Sequence, residues 1–274
     1  MKHYPTVLSI AGSNNTSEAG IQSDIKTISV LGAYATTVIT AIAVFNKKGI
    51  EAIHSIPSGI IRNQIEFVME HMWPDVVKIG LIANAESARV VADCLRKYHP
   101  KYVVYDPVMF VGEKMSVPDD ETLKIIKDEL LHFSNLMTIN LNEATVFTGI
   151  VCKTKEDVKE TARVLAEQYL IPILVKAANF LGDETYDVLY VPDGESWEFF
   201  GKKMNTTNLH GASSLLSASV ATQLALGNSL NWAVKVGREF TELAINNPNY
   251  ESKFTMNIPP EYANSVLMRN FYSK

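Results

Sequence analysis

The stretch TVLSIAGSNNTSEAGIQSDIKTISVL, residues 6–31, decides the fold. Thr6–Ile10 is a near-continuous apolar run, the signature of a strand buried on both faces. It leads into a small, polar loop with Gly12 and Gly20, where backbone NH groups can approach a ligand closely. The loop opens into an amphipathic helix over Ala19–Leu31. A plain strand-to-helix turn would look the same, so the stretch alone leaves its use open.

Outward from it, apolar runs alternate with helical stretches. Strands are predicted at Thr37–Ala43, Val76–Ile79, Tyr102–Tyr105, Met137–Ile139 and Ile173–Lys176. Helices are predicted at Ser58–His71, Ala85–Tyr98, Asp119–Phe133, Asn142–Thr148, Lys155–Gln168, Ser214–Leu226 and Leu230–Ile245. Thr154 and Pro118-Asp119-Asp120 mark helix starts. Such alternation predicts an α/β fold with a mostly parallel central sheet and helices on both faces. Tyr186–Val191 and Trp197–Phe200, around Asp193-Gly194, read as a small β-hairpin appendage. No repeat, low-complexity segment or linker interrupts the 274 residues, so a single domain over 1–274 is expected.

Composition narrows the function. Hydrophobic residues make up 47%, enough for a core, and the net charge of −5 carries no basic block, which disfavours nucleic acid as a partner. Cys94 and Cys152 lie in no metal-like or redox spacing and read as small buried apolar residues. No leader and no membrane-length apolar stretch is visible, so a cytoplasmic protein is expected.

In parallel sheets, ligands sit beyond the carboxyl ends of the strands. The residues there are Asp106, then Asn140 with Glu143, then Lys176, and last the loop Gly211-Ala212-Ser213-Ser214 opening an apolar helix. Asn140 and Glu143 suit a hydrated Mg²⁺, or else an ordinary helix cap. Lys176 suits a nucleotide phosphate as a point charge, or else solvent. The Gly211–Ser214 turn suits a developing phosphoryl charge through its NH groups and helix dipole. His210 beside it reads as a base or as a structural loop residue.

The ordered set AGSNNTSEAGIQSDIKTISVLGAY, VITAIAVFNKKGI, VKIGLIAN, DPVM, INLNEA, LVK and NTTNLHGASS resembles the bacterial hydroxymethylpyrimidine and hydroxymethylpyrimidine-phosphate kinases of thiamine biosynthesis, over about residues 5–245. A similar group phosphorylates pyridoxal and pyridoxine. The resemblance implies a ribokinase-like fold, ATP with Mg²⁺, a small-molecule substrate and a homodimer. It implies a ring pocket of Gly12, Ala19, Asp24, Phe45, Leu81 and Val108, with Asp24 accepting from the ring's amino group. It places Asp106, Asn140 and Lys176 on the nucleotide side, Glu143 at the metal, and Gly211, Ala212, Ser213 and Ser214 at the anion hole.

The departures cluster on these same positions. The family's first loop reads Gly-Ser-Asp-x-Ser-Gly-Gly-Ala-Gly. Here Asn14 replaces a carboxylate, and Ser17 and Glu18 replace glycines. Phe45 stands where the pyrimidine kinases carry Gln. Ser213 and Ser214 replace Gly and Cys, and Lys176-Ala177-Ala178-Asn179 replaces Lys-Gly-Gly-His. Three readings follow: a hydroxymethylpyrimidine kinase, a pyridoxal kinase, or a homologue that binds without transfer.

Overall fold

The structure, a computed structural model, describes residues 4–47, 49–111, 115–116, 118–181, 184–202 and 211–245. The predicted apolar runs become strands, several of them longer than the runs themselves: β1 (Thr6–Asn14), β2 (Tyr34–Asn46), β4 (Val76–Ile79), β5 (Val103–Tyr105), β8 (Leu136–Asn140) and β9 (Ile173–Leu181). These six lie parallel, in the order β9-β8-β5-β4-β1-β2. A further strand, β3 (Gly49–Ser55), pairs antiparallel with β2 and forms one edge. Its GIEAIHS sequence has few β-branched residues, and it is fully buried at none of its positions, so no apolar run announces it. Phe110–Val111 (β6) and Met115–Ser116 (β7) form a separate short ribbon.

The hairpin differs from its expectation. Strands β10 (Glu184–Tyr190) and β11 (Ser196–Lys202) are no appendage. They pair antiparallel onto β9 and complete a nine-stranded sheet. Pairing hides the outer edge of β9, which would otherwise present open NH and CO groups.

Eight α-helices are described: α1 (Gly20–Val30), α2 (Ser58–His71), α3 (Ala85–Tyr98), α4 (Asp120–Ile125), α5 (Leu141–Thr148), α6 (Lys155–Tyr169), α7 (Ala212–Ala225) and α8 (Leu230–Ile245). Their ends follow local chemistry. Asn84 caps α3 by accepting from the Ser87 NH, and Thr154 with Asp157 closes a capping box on α6. The stretch predicted as one helix over 119–133 leaves α geometry at Ile126, widening to a π-turn over Ile126–Leu130 and tightening to a 3₁₀ turn over Leu131–Phe133.

Period-2 alternation sorts the core into two layers. Leu8, Val77, Val103, Met137 and Ile173 face α2 to α6, whereas Val7, Val76, Val104, Leu136 and Leu174 face α1, α7 and α8. Each such side chain is worth ~1.5–3 kcal/mol when fully buried. Helix α7 is the central element of the second layer. Every residue from Ser214 to Leu224 is buried, and the hydroxyls of Ser219 and Thr222 are satisfied by the carbonyls of Leu215 and Ala218 at 2.7 Å.

Candidate active site

The same alternation places the chemistry. Two residues beyond each apolar side chain that faces α7, the strand carries a polar one: Ser9 after Val7, Lys78 after Val76, Asp106 after Val104, Thr138 after Leu136, Lys176 after Leu174. All five therefore look toward the first turn of α7 from the carboxyl ends of β1, β4, β5, β8 and β9.

Two ion pairs form within this row. In the first, Asp106 is 1% exposed and its Oδ1 accepts from the Lys176 ammonium at 2.9 Å, from the Thr138 hydroxyl at 2.8 Å and from the Ser213 hydroxyl at 2.7 Å. Its Oδ2 accepts from Ser217 at 3.0 Å. Lys176 also donates to Ser213 Oγ. Burial by itself would raise the Asp106 carboxyl, but the charges of Lys176 and Lys78 outweigh it and hold the group below the ordinary range.

In the second, Lys78 donates to both oxygens of Asp24, at 3.1 and 2.9 Å, with 1% and 0% of the two side chains exposed. Ser9 donates to Asp24 Oδ2 at 2.5 Å and Ser214 to Oδ1 at 2.8 Å. This corrects an expectation. Asp24 is sealed under α7 with four hydrogen bonds from three donor groups on its two oxygens, so it offers nothing to a ring amino group. Lys78 was not among the expected site residues. Its signal was a single charge inside the apolar run VVKI.

The two pairs end on adjacent serines of one helical turn. Gly211, at φ 83°, caps that turn and accepts from the Leu215 NH at 3.0 Å. NH groups at the start of a helix find no acceptor one turn back within it, which suits them to an anion. Expected neighbours Ala178 and Asn179 have undescribed side chains, and His210 lies outside the described residues.

The first loop folds on Asn14. Its Oδ1 accepts from the NH groups of Thr16 and Ser17 at 3.1 and 2.8 Å, and its Nδ2 donates to the Ala19 carbonyl at 3.0 Å. An amide can do both, which a carboxylate cannot. Ser17 sits at φ 61°, so the former glycine position does demand left-handed backbone and costs about 1 kcal/mol with a side chain. Glu18 is buried, and burial pushes its carboxyl up against the pull of Thr16 and Lys26. Gly20 admits no side chain, since an added Cβ would lie 2.1 Å from the Gly12 carbonyl oxygen. A Cβ on Gly12 would in turn meet Leu81 Cδ2 at 2.7 Å. Gly12, Ala19 and Leu81 are thus gathered at one place. Phe45, half-buried at the end of β2, is fastened to the same loop: its NH donates to Asn15 Oδ1 at 2.8 Å and its carbonyl accepts from Asn15 Nδ2 at 2.9 Å.

On the opposite flank, Asn140 caps α5. It accepts from the Glu143 NH at 2.9 Å, and Glu143 Oε2 accepts from the Asn140 NH at 3.0 Å. The cap reading of this pair is therefore seen directly, as a capping box. Glu143 also accepts from the Met109 backbone, which draws in the segment carrying half-buried Val108. Burial raises its carboxyl to about 7, Lys176 opposes this, and Asp106 adds to it. Among the described residues, no three His, Cys, Asp or Glu side chains cluster as a metal cage. Glu143, whose carboxyl the neighbouring Asp106 charge helps to raise, fits a hydrated cation that needs few protein ligands.

A sequence profile described as phosphomethylpyrimidine kinase matches residues 14–258. The chain is 31% identical over 251 residues to the hydroxymethylpyrimidine/phosphomethylpyrimidine kinase of Haemophilus influenzae, covering 90% of this chain and 93% of that one. It is 34% identical over 245 residues to a probable thiamine biosynthetic bifunctional enzyme of rice, 88% of this chain but 44% of that protein, so it spans about half the length of that relative. Its fold matches the phosphomethylpyrimidine kinase of Clostridium difficile with a TM-score of 0.77 at 31% identity, over 88% of this chain and all of that one. It also matches the pyridoxal kinase of Staphylococcus aureus in complex with AMP-PCP and pyridoxal, with a TM-score of 0.85 at 25% identity over 96% of both chains.

Proposed function

The chain belongs to the phosphomethylpyrimidine kinase family, and from that membership we propose that it moves the γ-phosphoryl group of ATP onto the hydroxymethyl oxygen of hydroxymethylpyrimidine or its phosphate. The new bond is O–P, the bond broken joins the γ-phosphorus to its bridging oxygen, ADP departs and the hydroxyl proton goes to solvent.

The observation that carries this reading is the pair of buried Asp–Lys bridges ending on Ser213 and Ser214 in the first turn of α7. Phosphoryl transfer asks a protein mainly for position and charge stabilisation. Lys176 meets the nucleotide phosphates, and Asp106 fixes its ammonium. The Gly211–Ser214 turn receives the charge that develops on the migrating group. Asn140 sets the place of Glu143, which would hold Mg²⁺ through water beside Asp106. Mg²⁺ supplies neutralisation of phosphate charge. Gly12, Ala19, Phe45, Leu81 and Val108 form the ring pocket. Ser214 supplies no base, because its hydroxyl donates a hydrogen bond to Asp24 and its oxygen accepts from the Gly20 NH at 3.2 Å and lies 3.4 Å from the Lys78 ammonium.

One observation favours a pyridine ring. Phe45 presents an aromatic face where the pyrimidine kinases carry an amide, and among the matching folds is a pyridoxal kinase solved with pyridoxal. We place the protein in the cytoplasm as a homodimer of one-domain chains; the exposed Ile60 and Phe67 on α2 offer apolar surface for a second copy, and no described helix is long and apolar enough to cross a membrane. The deciding experiment is ADP release from Mg-ATP with hydroxymethylpyrimidine, its phosphate, pyridoxal and pyridoxine. Binding of a ring by calorimetry with no transfer to any of the four would establish a non-catalytic homologue instead.

A further inference from the structure

The Lys78–Asp24 bridge has no task in the reaction as drawn above, yet it lies in the middle of the sheet. An apolar side chain would serve the packing at this point, as Val76 does two residues earlier. A buried ion pair is weak as a stabilising device, since well-packed apolar groups of similar volume commonly do as well or better. What the pair provides, and apolar groups cannot, is a set of directed hydrogen bonds.

Those bonds converge on one hydroxyl. Asp24 accepts a hydrogen bond from the Ser214 hydroxyl at 2.8 Å, which turns the oxygen's lone pairs toward the Gly20 NH at 3.2 Å and the Lys78 ammonium at 3.4 Å. Ser214 is the third residue of α7, and Gly20 is the first residue of α1. The hydroxyl therefore joins the first turns of two helices that arrive from opposite ends of the chain, and both joints rest on a lysine held in the sheet. Gly20 tolerates no side chain at this joint, because a Cβ added there would meet the Gly12 carbonyl oxygen at 2.1 Å. Ser213, one residue earlier, rests on Asp106 and Lys176 instead. The turn thus has two anchors, of which only the second touches the nucleotide side.

We propose that Lys78 is a positioning residue for phosphoryl transfer: through Asp24 and Ser214 it sets the first turn of α7 against the first turn of α1, and so governs kcat while leaving nucleotide affinity to Lys176. The inference rests on the kinase reading. Loss of a single well-placed donor to a developing charge costs ~10²–10³ in rate, so a turn that shifts without losing its NH groups should lose about tenfold or more.

The test compares wild type with Ser214→Ala, Lys78→Met and the neutral double variant Lys78→Met/Asp24→Asn. Lys78→Met strands a carboxylate and should melt earlier, so it reports on folding alone. The double variant removes both charges, keeps an acceptor for Ser214 and should recover the melting temperature. Expected for the double variant and for Ser214→Ala are an unchanged Kd for Mg-ATP within about threefold, a kcat at least tenfold lower, and amide hydrogen exchange at Gly20 at least tenfold faster. A folded double variant with wild-type kcat would make the bridge structural only and overturn the proposal. So would unchanged Gly20 exchange in both variants. Absence of transfer by the wild type with all four rings would count against the kinase reading instead, and the exchange measurement would still decide whether the bridge holds the two turns together.

Discussion

Removing the Ser213 hydroxyl should strengthen the grip on ATP while weakening the fold. Lysine has three donors, and two of those on Lys176 are committed, one to Asp106 and one to Ser213. Ser213→Ala returns one donor to the nucleotide. A hydrogen bond to a charged group is worth about 1.5–3 kcal/mol net, and 1.4 kcal/mol is tenfold in affinity. The KM for Mg-ATP should therefore fall by about tenfold. The hydroxyl also donates to Asp106 at 2.7 Å, so the variant loses a charge-assisted bond and about 1.5–3 kcal/mol of stability. Ser213→Gly should give the same KM and a fold about 1 kcal/mol weaker again, from helix propensity. The assay is initial rate against Mg-ATP at saturating ring substrate, with urea denaturation alongside. The side chain in this structure faces Lys176 and Asp106, so the hydroxyl matters and the Cβ does not. If Gly lowers KM or raises kcat and Ala changes neither, the side chain acts by crowding the phosphate, and the reasoning from Lys176 fails.

Glu143→Gln should flatten the pH dependence of stability. Its carboxyl is raised from 4.5 to about 7, so between those values the folded state keeps a proton that the unfolded state releases, and stability falls as pH rises through that window, by about 3 kcal/mol in all. Gln retains an acceptor for the Asn140 NH, so urea midpoints at pH 5 and pH 8 should differ clearly in wild type and little in the variant; equal differences would show that Glu143 does not titrate there. Asp106→Asn leaves Lys176 without its counter-charge and should cost about 3–5 kcal/mol together with transfer; a variant that melts like wild type would show that the bridge is not buried as described. Phe45→Gln should move the kcat/KM ratio of hydroxymethylpyrimidine over pyridoxal upward by about tenfold, from the ~1–3 kcal/mol of a matched buried amide; an unmoved ratio would place Phe45 outside the ring pocket. Transfer should stop in EDTA and return with Mg²⁺, and activity indifferent to chelation would remove Glu143 from any metal role.

Strand positions were legible because continuous β-branched runs admit few other readings. Strand β3 was not, because an edge strand needs only one partner and buries little, and GIEAIHS carries no apolar run. The site was half legible. Asp106, Lys176 and the 211–214 turn announce themselves as polar groups directly after apolar runs. Lys78 hides inside such a run, and only the face-by-face spacing Val7-Ser9, Val76-Lys78, Val104-Asp106 would have exposed it. Asp24 was misassigned because its direction depends on the rotation of α1 about its axis, which the linear pattern leaves free within the width of an apolar stripe. The hairpin was found, but its attachment to β9 was not, since strand pairing partners are set by the sheet edge left open and not by the hairpin's own residues.

The meeting of two bridges on one helical turn also constrains the order in which the chain can mature. The Ser214–Asp24 bond spans 190 positions and the Ser213–Asp106 bond 107, so both close only once the chain has been synthesised past residue 214. Until α7 docks, the sheet carries Lys78 and Lys176 on an open face between Val76, Val104 and Leu174. Such long-range closure is slow and leaves apolar surface waiting. Lys176 pairs with Asp106 and Lys78 with Asp24 of α1 before α7 arrives, so that waiting surface carries ion pairs among its apolar groups, a guard against pairing with another nascent chain. A chain truncated before residue 211 would keep these pairs without the helix that covers them, and the yield of active protein should depend more on α7 and α8 than on any loop of the first hundred residues.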